Sequence, residues 1–263
     1  MTALRIATLG YHDVSDDRTS SGFQRAAAWA YKLKCRDFDD HLWALLRSAP
    51  RPTLAYQVDW NGPASGNYLM LTFDDGGASA PYIGEALLRH GWRGHFFIVT
   101  GMMGSRTFLD AAGVRELRAQ GHLVGSHSHT HPDIFRDLSP ARMAEEWTES
   151  RARLSDLLGE PCVAASVPGG DMNALVLRTA AEAGYAYLFT SDPDPRPRMV
   201  QGCRILGRFV VKADHSRQRV AAMARLEGWR GALAMRRLRV AASRVLPSLY
   251  RRYVAARTQP DES

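Results

Sequence analysis

A chain of 263 residues, 45% hydrophobic and 23% charged, can bury a full core as one large domain or as a barrel with an appendage. The net charge is +7, but residues 228–260 hold eight Arg and no acidic residue. The body before them is near neutral, which argues against a nucleic-acid binder, as does the scarcity of aromatics in the basic stretch. Three scattered cysteines, Cys35, Cys162 and Cys203, exclude a disulfide scaffold and read as reduced, mostly buried thiols. No apolar run reaches the length of a membrane span.

The first dozen residues enter a strand-like segment at once and lack a signal-peptide h-region, so cytoplasmic residence is expected. Residues 37–48 place Phe38, Leu42, Leu45 and Leu46 at helical spacing. The run Tyr68-Leu69-Met70-Leu71-Thr72-Phe73 reads as a strand that breaks into a Gly-rich turn. A helix follows from Pro81 to Arg89, then a strand over residues 94–99 and a helix containing Val114 and Leu117 that ends at Gly121. Another strand-like run, His122-Leu123-Val124-Gly125-Ser126, leads into a histidine cluster. Ser139-Pro140 opens a long helix with Met143, Trp147, Leu154 and Leu158 inward, closed by Gly159. Residues 163–167 read as a strand, Asn173 caps a helix that stops at Gly184, and residues 185–190 read as a strand again. This alternation predicts a parallel sheet and fits both an open doubly wound sheet and a closed barrel. In residues 228–263 the pattern is that of an amphipathic helix, with Ala234, Leu238, Ala241 and Val245 on one face. Such a tail suits an anionic membrane surface, or packs on the barrel with its Arg residues in solvent.

Two segments carry the chemistry. Phe73-Asp74-Asp75-Gly76 puts adjacent carboxylates at the end of a strand, and His127-Ser128-His129-Thr130-His131 puts imidazoles at the end of another. Alone, the first is a turn signal and the second a polar loop or an unspecific metal tract. Together they offer a carboxylate and two imidazoles for a divalent ion, a spare carboxylate beside them, and an open position for water. His129, between the other two in an extended segment, would point elsewhere and is left out of the ligand set.

Thr72-Phe73-Asp74-Asp75-Gly76 and His127-Ser128-x-x-His131 resemble the first two motifs of the polysaccharide deacetylase family (NodB homology, carbohydrate esterase 4). The resemblance implies an α/β fold, a distorted (β/α) barrel, over residues 1–227, with the Arg-rich helical tail of residues 228–263 outside it. It implies that Asp75, His127 and His131 bind one divalent metal ion, zinc first among the candidates, and that Asp74 is the general base. Its substrates would be N-acetylated amino sugars of a polysaccharide, oligosaccharide or glycan precursor.

Three departures stand out. The late Leu-x-x-His motif that usually supplies the acid is replaced by Ile205-Leu206-Gly207-Arg208-Phe209. The N-terminal Leu9-Gly10-Tyr11-His12-Asp13-Val14 resembles instead the permuted poly-N-acetylglucosamine deacetylase branch. His12 is then the expected proton donor, with Asp13 beside it. In the third motif, Ala165-Ser166-Val167-Pro168-Gly169-Gly170, Pro168 and Gly170 match, whereas the Arg that holds the base is missing; Arg208 is the candidate to replace it. Ser191-Asp192-Pro193-Asp194 stands where an Asp-x-x-x-Trp motif is expected. Competing readings keep the chemistry but change the substrate, to a deacetylase or deformylase of a lipid-linked amino sugar at the inner membrane face, or drop it, leaving a non-catalytic carbohydrate-binding barrel. The second would require loss of Asp74 or of a ligand, and none is missing.

Overall fold

Strand alternation decides what faces the inside of this molecule. The computed structural model describes residues 4–60, 67–170 and 172–245. Its strands are β1 (Arg5–Tyr11), β2 (Asn67–Phe73), β3 (His95–Ile98), β4 (Leu123–Ser126), β5 (Ala164–Ser166), β6 (Tyr187–Phe189), β7 (Arg198–Val200), β8 (Cys203–Leu206) and β9 (Phe209–Val210). They form one sheet in the order β7-β8-β6-β5-β4-β3-β2-β1-β9, parallel throughout except for the β7–β8 pair. β8 pairs with β6 while β9 pairs with β1, and only Gly207 and Arg208 separate the two. One kinked strand therefore links the two sides of the curled sheet, giving the distorted barrel.

Helices α1 (Ala26–Trp29), α2 (Cys35–Ser48), α3 (Ala80–Arg89), α4 (Ala111–Ala119), α5 (Pro140–Leu158), α6 (Ala174–Glu182) and α7 (Arg217–Ala224) accompany the strands. The caps act where the sequence places them. Ser139 and Asn173 accept from the backbone N–H of Arg142 and Val176 at the starts of α5 and α6, and Gly159 closes α5 at φ 67°. The main core lies between strands and helices and includes Leu9, Leu71, Phe73, Leu42, Leu87, Trp147 and Val176.

A second cluster fills the barrel itself: Ile6, Met70, Phe97, Leu123, Ala164, Phe189 and Leu206 belong to it, each from a different strand. With a side-chain period of two, the same inward face continues to His12 after β1, Asp74 after β2, His127 after β4, Ser166 in β5 and Arg208 after β8. The barrel is thus apolar at its base and polar at the C-terminal ends of its strands. Gly125 sits between these layers, where an added Cβ would lie 2.6 Å from the Ala164 carbonyl oxygen and 2.8 Å from the Phe97 ring.

Away from that mouth, burial pushes the His95 and His122 pKa values down to about 4. His95 fits as a neutral ring: its Nε2 accepts from the Ala55 N–H and its Nδ1 faces the Leu71 carbonyl. The unfolded chain takes up these protons near pH 6.5 and the folded one only near pH 4. Stability should therefore be level above about pH 6.5 and fall as the pH drops toward 4. Thermal melts across that range check this, and a melting temperature unchanged from pH 7 to pH 4 would contradict it.

The last described helix, α8 (Trp229–Val245), turns the apolar face drawn from its sequence pattern outward. Leu233 is buried, whereas Met235, Leu238 and Val245 are 53%, 65% and 76% exposed, and Ala234 and Ala241 are exposed too. Arg236 turns inward instead, donating to the Gly170 carbonyl and pairing with Asp192 at 3.3 Å. That anchor rotates the expected apolar face outward. Residues 246–263 of the expected tail lie outside the described residues. No helix among the described residues is long and apolar enough to cross a membrane.

Candidate metal centre and cleft

Asp75, His127 and His131 meet at the mouth of the barrel, their ligand atoms all within 4.8 Å of one another. The Nε2 atoms of His127 and His131 lie 3.5 and 3.8 Å from Asp75 Oδ1. A tetrahedral zinc with bonds of about 2.0–2.1 Å spaces its ligands by about 3.4 Å, so the donor set fits such an ion. The backbone is strained to bring the groups together. Asp75, Ser128 and His131 have φ of 77°, 65° and 55°, values uncommon for residues other than glycine. At Asp75 this turn brings toward the mouth a side chain whose strand phase would send it outward.

The electrostatics ask for a cation. Burial, then the neighbouring carboxylates of Asp13 and Asp74, push the Asp75 pKa well above the usual carboxylate range. Burial also pushes His127 down to about 4 and His131 well below its ordinary value. Neutral imidazoles beside a crowded carboxylate are the state in which a divalent ion is bound.

Asp74 is held differently. Burial opposes its charge, but Arg208 and then His127 and His12 outweigh that and hold it well below the usual range. Arg208 is 1% exposed, and its Nη1 donates to Asp74 Oδ1 at 2.6 Å and to Thr72 Oγ1 at 3.2 Å. Its Nε donates to the Thr190 carbonyl at 3.1 Å. Ser166 Oγ donates to the same Asp74 Oδ1 at 3.1 Å and so accepts from His127 Nδ1 at 2.5 Å. This order of donors leaves the lone pair of His127 on Nε2, the atom facing Asp75. Arg208→Met would strand a buried carboxylate and should cost about 3–5 kcal/mol of stability. Adding Asp74→Asn should recover part of the loss in thermal melts; a single variant as stable as the wild type would show that the pair holds nothing.

The other singled-out residues fall in distinct places. His12 lines the cleft with Asp74 and His127, its ring 4.8 Å from that of Tyr31, and its Nδ1 is buried without a hydrogen bond. Burial lowers its pKa, while Asp74 acts in the opposite direction. Asp13 is not bonded to it. That carboxylate accepts from Ser21 and Ser79 hydroxyls at 2.5 and 3.1 Å, packed so closely that an added Cβ on Gly77 would lie 2.1 Å from it. His129 turns its Nδ1 to Thr100 Oγ1 at 2.9 Å, away from the ligands. Pro168 and Gly170 bound a tight turn in the cleft wall, where Gly170 has φ 69° and an added Cβ would meet Ser191 at 2.6 Å.

Three supporting residues escape a motif-based reading. Glu146, 1% exposed, accepts from the backbone N–H of His129 and Thr130 and from the Thr130 hydroxyl, at 2.5–2.9 Å. It shapes the loop between the two histidine ligands. Its signal was a Glu on the apolar face of α5, between Met143 and Trp147. Ser166 had the inward phase of its strand as a signal. Arg25, 3.2 Å from His131 Nδ1 and paired with Asp133 at 2.6 Å, had none.

Comparison with known proteins places this arrangement. The sequence pattern of the family described as polysaccharide deacetylase matches residues 61–188. That span contains Asp74, Asp75, His127 and His131 and stops short of His12 and Arg208. A peptidoglycan-N-acetylglucosamine deacetylase of Bacillus cereus is 29% identical over 171 residues, 64% of this chain and 76% of that protein. Among solved structures, the Streptococcus pyogenes deacetylase PplD, in complex with acetate, superposes with a TM-score of 0.70 at 20% identity, over 85% of this chain and 99% of that one. IcaB from Ammonifex degensii gives 0.69 at 22% identity, over 85% and 98%. At those identities the structures speak for the fold. Residues 61–188 thus carry a polysaccharide deacetylase domain (NodB homology, carbohydrate esterase 4), and the fold is that of a NodB-type (β/α) barrel.

Proposed function

We propose that this protein is a metal-dependent N-deacetylase of amino sugars, with the ion held by Asp75, His127 and His131. The observation that carries the reading is the convergence of those ligands with a second carboxylate, Asp74, held by Arg208 on one oxygen only. A zinc ion bound there would lower the pKa of a water and polarise the acetyl carbonyl.

The chain's own groups supply the proton traffic. Asp74 Oδ1 is occupied by Arg208 and Ser166, while Oδ2 lies 3.9 Å from His127 Nε2, on the ligand side. Oδ2 is thus the atom to accept the proton of the attacking water. Arg208 keeps this carboxylate ionised and fixes its plane. As the carbon–nitrogen bond breaks, the amine needs a proton, and His12, which lines the same cleft and is not in the ligand set, is the group assigned to deliver it. The relative from Bacillus cereus is named for deacetylating N-acetylglucosamine in peptidoglycan, which supports an N-acetyl amino sugar here. Zinc-loaded protein should release acetate from an N-acetylated oligosaccharide. Release of neither acetate nor formate from a panel of such sugars would overturn the reading.

A further inference from the structure

The cleft above the candidate metal centre opens to solvent and has a volume of about 420 Å³, within the range of small-molecule sites. Its outer wall comes from residues after β9 and from α7 and α8: Lys212, His215, Arg219 and Arg236 line it. Among the described lining residues the one carboxylate is Asp74, on the floor and already paired with Arg208. Arg236 is balanced by Asp192 at 3.3 Å. His215 adds no charge near neutral pH, since burial, with help from Arg219 and Lys212 and against Asp214, lowers its pKa to about 4. Lys212 and Arg219 remain, exposed, and neither is in an ion pair among the described residues. Asp214, the nearest acid on that loop, is 84% exposed and lies 4.0 Å from His215.

Two unpaired cations on the rim of one cleft match one dianionic group close to the reacting sugar. Lys and Arg are the usual partners of phosphate oxygens, whereas a single carboxylate would leave one cation unused. Building on the proposed deacetylase reading, we propose that the substrate's N-acetylated sugar carries a phosphate or diphosphate ester beside the reacting unit, held by Lys212 and Arg219. The ester could come from a nucleotide or from a polyprenyl lipid. The exposed apolar residues Met235 and Leu238 lie on α8, the helix that also lines the cleft.

The test compares kcat/KM of zinc-loaded protein for N-acetylglucosamine 1-phosphate and for N-acetylglucosamine, read as released acetate. Nucleotide-diphosphate-linked and polyprenyl-diphosphate-linked N-acetylglucosamine, the latter in detergent, separate the two sources. The wild type should prefer phosphorylated sugars by at least about tenfold, a preference that weakens with salt. In Lys212→Gln/Arg219→Gln the ratio of charged to uncharged substrate should fall toward one. Equal rates on both sugars would overturn the proposal and leave the deacetylase reading standing. If no sugar releases acetate, that reading fails, and titration of the same two sugars decides the subsite by itself. Binding of the phosphate at least about tenfold tighter, and lost in the double variant, supports it. Equal affinity, or an affinity that the double variant retains, overturns it, the latter because the phosphate would then sit on the metal.

Discussion

Asp74→Asn is expected to keep its metal and lose turnover by about 10²–10⁴, because an amide cannot take the proton of the attacking water. The neighbouring Asp75→Asn should behave differently, losing metal first and activity in consequence. The geometry separates the two: Asp75 Oδ1 faces both His127 and His131, while Asp74 is tied down on Oδ1 by Arg208 and Ser166. Metal content and rate measured on both variants check this. Identical behaviour of the pair would show that the division into ligand and base is wrong.

The second large effect belongs to His12. His12→Ala should retain fold and metal while slowing turnover by about 10²–10⁴, the usual worth of general acid–base catalysis. The loss should shrink for substrates with a less basic leaving amine, which need the proton less. Rates on a series of N-acylated amines of graded basicity, for wild type and variant, provide the measurement. A variant that turns over as fast as the wild type would show that His12 is not the proton donor.

Much of this was legible in the chain. The runs before Asp74 and His127 alternate clearly enough to place both groups at strand ends, and the long α5 announces its own caps at Ser139 and Gly159. Arg208 could be named as a stand-in for the missing third-motif Arg. Its three-way anchorage on Asp74, Thr72 and Thr190 arises only when the kink at Gly207 and Arg208 closes the barrel. That kink joins strands too short, at four and two residues, to show a period. Which side of α8 packs was open in the sequence for a related reason. Helical periodicity groups apolar residues, but which side packs is settled here by Arg236 reaching the Gly170 carbonyl and Asp192. Asp13 looked like a partner for His12 from adjacency alone, yet neighbouring residues on an extended chain point to opposite faces. Its carboxylate ends among Ser21, Ser79 and Gly77, with Asp75 near enough to feel its charge.

Everything proposed for the site depends on one ion bound by Asp75, His127 and His131. Elemental analysis of purified wild type beside His131→Ala examines that dependence without any knowledge of the sugar. About one equivalent of a divalent metal, zinc before iron, cobalt or nickel, is predicted in the wild type, with a sharp loss in the variant. Full stoichiometry in His131→Ala, or a wild type that binds no divalent ion when offered one, would contradict the account.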